Sequence, residues 1–86
     1  MRLYLTIKIW KEGKNYIAYC PELEVASQGR NLEHAFKRIK EALEGFLEET
    51  KKMGTLEEIL EKAGFVRKKN KWQAPIISIS PLEIKI

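Results

Sequence analysis

The stretch "NYIAYCPELEVASQGRNLEHAF", Asn15 to Phe36, decides how this chain folds. Tyr16 to Cys20 has the aromatic and apolar character of a strand, and Pro21, which has no N–H to give to a ladder, ends it. Leu23 to Ala26 is long enough for one more short strand before Ser27-Gln28-Gly29 turns the chain. Asn31 is placed to cap a helix, with Glu33 in its first turn where the helix dipole favours a negative charge.

Upstream, Leu3, Leu5, Ile7 and Ile9 alternate with Tyr4, Thr6, Lys8 and Trp10, the period of two of a strand with one buried face. Glu12-Gly13-Lys14-Asn15 makes the reversal between that strand and the next. Downstream, Leu32, Ala35, Phe36, Ile39, Ala42, Leu43, Phe46 and Leu47 fall at steps of three and four, which predicts an amphipathic helix that Gly54 stops. Gly45 lies inside it, where a glycine costs up to about 1 kcal/mol against alanine and a close packing contact is the usual reason.

Thr55 and Glu58 have the spacing of a capping box that opens a second helix through Lys62, closed by Gly64. Phe65 to Lys68 and Lys71 to Gln73 predict a small hairpin around Lys69-Asn70. Ile76 to Ser80 reads as a further strand, and beyond Pro81 the alternation resumes at Leu82, Ile84 and Ile86. The order is β-β-β-α-α-β. It is an α+β architecture: a three-stranded antiparallel sheet with an amphipathic helix on one face, a short second helix and C-terminal strands.

The 86 residues form one domain, 1–86, because a chain this short buries only roughly 60–65% of the surface its unfolded form exposes and cannot support two cores. A second copy or a partner would extend that core. No run of about 18 apolar residues suits a membrane span, and the start does not read as a signal peptide, so the expectation is a cytoplasmic, unprocessed protein without a membrane partner. All 12 acidic residues are Glu, and charged residues make up 33% of the chain, a composition with a heat-adapted cast.

The net charge of +4 is unevenly placed. Residues 31 to 61 carry eight Glu against five Lys or Arg, whereas Lys62, Arg67, Lys68, Lys69 and Lys71 follow with no acid through residue 82. Arg67, Lys68, Lys69 and Lys71 are therefore the candidates for phosphate contact, with Trp72 beside them to stack a base.

For catalysis, Cys20 is the one thiol and His34 the one imidazole. Nucleophilic catalysis needs a base within reach of the thiol and an orienting group behind it, and His34 sits on a helix beside Ala35 and Phe36. One Cys and one His leave too few ligands for a zinc site, and the scattered glycines make no phosphate loop. Glu22 and Glu24, two apart, could point the same way, but no carboxylate cluster of the kind two-metal hydrolysis needs is present. The expectation is no catalytic residue, no metal and no cofactor. Tyr4, Trp10, Tyr16, Tyr19 and Trp72 suggest an aromatic contact surface instead.

"EGKNYIAYCPELEVASQGRNLEHAFKRIKEALEGFLEE", Glu12 to Glu49, resembles the HicB-like antitoxin family, marked by a Gly-containing turn, a strand ending in Cys-Pro-Glu-Leu or similar, a Ser-Gln-Gly turn and a helix with Glu-Ala near its start. The resemblance covers nearly half the chain. It implies a partial ribonuclease H-like fold, with Cys20, Pro21 and Ser27-Gln28-Gly29 as scaffold. It also implies a protein that blocks a small HicA-like RNA-cleaving toxin and assembles as a homodimer or homotetramer. Arg30 and Asn31 stand where the family often has an acid and then Thr. Many members also carry a C-terminal DNA-binding module; residues 55 to 86 are too short for one, so operator binding is not expected.

The partner-binding residues expected are Tyr16, Tyr19, Glu22, Glu24, Arg67 and Trp72, since aromatic and Arg anchors dominate interfaces and carboxylates near Pro21 could meet a basic toxin. Leu82, Ile84 and Ile86 are the expected oligomer interface, as an alternating strand suited to pairing across subunits. The competing reading is an RNA- or DNA-binding module using the basic hairpin.

Overall fold

The computed structural model describes residues 2–86. Three antiparallel strands, β1 (Lys8–Glu12), β2 (Asn15–Cys20) and β3 (Val25–Gly29), form a sheet in the order β1-β2-β3. Helix α1 (Leu32–Met53) packs across one face, helix α2 (Leu56–Lys62) follows, and β4 (Val66–Lys68) and β5 (Lys71–Gln73) make a separate two-stranded hairpin. The α+β architecture and its element order are those the sequence predicts.

Register explains which side chains face the helix. Ile9 opposes Ala18, and Cys20 opposes Val25. These residues alternate along their strands toward α1, where Ala18 and Cys20 meet Ala35, Ile39 and Leu43 in the main core. A second cluster, Leu56, Leu60 and Phe65, ties α2 to the chain after it, with Trp72 and Ala74 packed on its edge.

Helix α1 begins where Asn31 indicates: its Oδ1 accepts from the His34 backbone N–H at 2.7 Å. It ends at Gly54, whose φ of 76° is the left-handed conformation that closes a helix by bonding back to the last carbonyls. Thr55 was expected to cap α2, but its side chain makes no bond to that helix. Only Gly54 and Thr55 separate the helices, and Thr55 turns back: its N–H and hydroxyl both donate to Thr50 O, at 3.0 and 3.4 Å. Glu58 pairs instead with Lys62 at 3.0 Å.

Four further expectations are corrected. Strand β1 starts at Lys8 instead of Leu3, because its neighbour ends: Lys8 opposes Tyr19, and one residue past Cys20 the partner chain reaches Pro21. The Thr6 N–H, left without a strand carbonyl, donates to the Glu22 carboxylate at 2.8 Å. The Ser27-Gln28-Gly29 motif is the end of β3 and not a turn, opposing Ala18, Ile17 and Tyr16; the turn lies at residues 21–24, where Glu24 has a φ of 54°.

Gly45 has no close neighbour: a Cβ there would meet nothing within 4 Å. Finally, residues 74–86 form no strand within one chain. They have no backbone beside them to pair with, and Ile76, Ile79, Leu82, Ile84 and Ile86 stand in solvent.

Candidate functional site: an uncovered sheet face and an open groove

Helix α1 takes one face of the sheet and leaves the other bare. Alternation puts Lys8, Trp10, Ile17, Tyr19, Ala26 and Gln28 on that bare face, and the register sets Trp10 beside Ile17 and Lys8 beside Tyr19. Lys8 Nζ lies 5.2 Å from the centre of the Trp10 ring, and Trp10 Nε1–H donates to Glu12 at 2.9 Å. Both contacts come from the indole's own strand, and its polar edge is satisfied. Of the expected partner residues only Tyr19 is here. Trp10, named with the aromatic contact surface but not among the partner residues, is here too, and Ile17 was not singled out, because the signal that assigns it is the pairing register.

The remaining expected partner residues are dispersed. Tyr16 faces the core side, packed against the main cluster with Lys11 over its ring at 5.9 Å. Glu22 and Glu24 diverge: Glu24 is exposed, while Glu22 is buried and committed to the Thr6 N–H and to the Cys20 thiol, which donates to Oε1 at 3.5 Å. Arg67 and Trp72 do come together, as a cross-strand pair with the guanidinium 5.6 Å from the indole.

Cys20 is built as scaffold. It is fully buried, and burial pushes its thiol up from the usual range, with the neighbouring Glu22 charge acting in the same direction. The neutral thiol is a poor nucleophile. His34 serves the corner into α1, its Nδ1 accepting from the Arg30 N–H at 3.1 Å. Among the described residues, no group of three His, Cys or carboxylate side chains lies close enough to share a metal ion.

The basic hairpin exposes Arg67, Lys68, Lys69 and Lys71. Arg67 is already engaged by Glu57 at 2.8 Å, which reduces the positive potential there.

A third feature was not foreseen. Leu3, Leu5 and Ile7 lie along the rim of an open apolar groove of about 400 Å³, whose other wall is α1 through Phe36, Leu43 and Leu47. Phe36 is 50% exposed although it belongs to the helix's apolar stripe. That stripe is wider than the sheet that covers it.

No family model matches the chain, and no curated protein or solved structure matches it at a significant level. Among the described residues, no helix is long and apolar enough to cross a membrane.

Proposed function

We propose that this protein is an antitoxin-like binding protein, acting in the cytoplasm by covering the catalytic surface of a small HicA-like RNA-cleaving toxin. The reading draws on the resemblance of Glu12 to Glu49 to HicB-like antitoxins, and one structural observation carries it: the bare sheet face with Trp10, Ile17 and Tyr19 in adjacent register. Large rigid aromatics on a β surface, ringed by Lys8 and Gln28, have the composition of an interface centre with a polar rim. Steric occlusion requires no chemistry from this chain. A buried, protonation-favouring Cys20 and an internally bonded Glu22 suit a scaffold role.

The experiment is co-expression with a HicA-like small protein, taken from beside this gene where one is encoded there. The two proteins are expected to co-elute at high salt, and growth of cells expressing the toxin to be restored. Trp10→Ala and Tyr19→Ala, each confirmed folded by circular dichroism, should weaken the complex at least tenfold. Complexes as tight as the parent's would remove the bare face from the interface. Elution with RNA that salt strips away would favour the basic hairpin, since affinity for phosphates falls steeply as counterions compete.

A further inference from the structure

We propose that the C-terminal segment Ile76–Ile86 of one chain lies in the groove of a second copy, as an added strand along its residues 3–12, and that the exchange is reciprocal. The proposal concerns the chain alone and stands independently of any toxin.

The segment has the pattern of a strand with one buried face. Ser78 and Ser80 lie side by side, hydroxyl to hydroxyl at 3.3 Å, and the alternation of a strand would set Ile77 and Ile79 on the side opposite them. Beyond Pro81, Leu82, Ile84 and Ile86 form the apolar set and Glu83 and Lys85 the polar one. From Ile79 to Leu82 the step is three residues instead of two. A single-residue bulge at Ser80-Pro81 corrects the phase and brings both apolar sets onto one face; bulges are also where a sheet tolerates proline.

The acceptor supplies both things such a strand needs. Strand β1 is an edge of the sheet, so one side of its backbone is unpaired, and the chain before it continues that edge past the end of β2. Beneath the edge runs the groove between Leu3, Leu5 and Ile7 and the α1 residues Phe36, Leu43 and Leu47. A strand added there pairs its backbone with the edge and drops alternate side chains into the groove, the mode of β-augmentation. Glu83 and Lys85 remain on the solvent side.

Surface area favours a second copy as the occupant. The chain exposes 7198 Å², whereas a compact monomer of 10.1 kDa exposes roughly 5,300 Å². The excess, roughly 1,900 Å², exceeds the roughly 800 Å² that each partner of a standard interface buries. Eleven tail residues and the nine that line the groove amount to about 20 on each copy, the lower end of the usual interface.

Light scattering at about 100 µM is expected to give twice the 10.1 kDa chain mass. Deleting residues 76–86 should return the monomer, and so should Phe36→Glu, which charges an already exposed groove position with the tail intact; circular dichroism checks both folds. In a Cys20→Ala background, a tagged chain with Phe36→Cys mixed with an untagged chain with Ile84→Cys should oxidise to a mixed dimer. A monomeric parent, or a dimer that survives tail deletion, overturns the proposal. So does a doubly substituted chain whose two cysteines link within a monomer, since the tail would then fill its own groove.

Discussion

Gly29 is the residue on which helix and sheet are brought together. Its backbone passes so close to the start of α1 that a Cβ would sit 2.4 Å from the Ala35 amide nitrogen and 2.7 Å from the His34 carbonyl carbon. Both are backbone atoms of a capped helix start and cannot move aside as a side-chain tip would. Gly29→Ala should therefore cost about 2–3 kcal/mol in urea unfolding, near the upper end of overpacking penalties. Cys20 carries a different prediction. Because burial raises its folded pKa, the unfolded thiol ionises first as pH rises, so its contribution holds below about pH 8.5 and is lost above it. Comparison of the parent with Cys20→Ala should show the parent losing stability more steeply between pH 8 and 10. At pH 8 the folded thiol should resist alkylation until denaturant is added.

At the scale of elements, α1 was legible in the sequence from end to end, because all its determinants are local: the Asn31 cap, apolar steps of three and four, and Gly54 at the close. The β4–β5 hairpin was legible for the same reason. What was not legible depends on a neighbour. Leu3 to Ile7 alternate like a strand but lose their ladder where β2 turns away at Pro21, and Ser27-Gln28-Gly29 has turn composition yet is paired throughout. Trp10 and Ile17 join Tyr19 only through register. Gly45 illustrates the converse: in sequence it resembles a packing site, but in the structure it is an open helical position. Gly45→Ala should accordingly stabilise the chain by about 0.5–1 kcal/mol, through helix propensity and a less free unfolded state, seen as a higher midpoint in urea at unchanged slope. A loss of stability would mean that the position is covered in solution.

At the scale of the whole molecule, the body and its tail are in different energetic situations. The radius of gyration is 14.9 Å, against about 12 Å for a compact chain of this length, and the excess fits a segment that leaves the body after Pro75. Burying the five Ile and Leu side chains on that segment's apolar face, Ile77, Ile79, Leu82, Ile84 and Ile86, contributes roughly 7–15 kcal/mol. Ordering eleven residues costs roughly 11–22 kcal/mol. Side-chain burial alone thus comes close to cancelling the entropy, and about five ladder hydrogen bonds, at about 0.5–1.5 kcal/mol each, decide the sign. Tail docking should therefore be concentration-dependent and should require strand pairing, because apolar contact without a ladder does not outweigh the ordering cost. Amide exchange read by NMR distinguishes the two. In the dimer, alternate amides between Ile76 and Ile86 should be protected and the intervening ones should exchange freely, with the protected parity switching across the Ser80-Pro81 bulge, since an edge strand turns only alternate N–H groups toward its neighbour. Dilution to about 1 µM should erase the protection while that of β2, the central strand, persists. Uniformly fast exchange at every concentration would mean that the tail has no strand partner in a second copy.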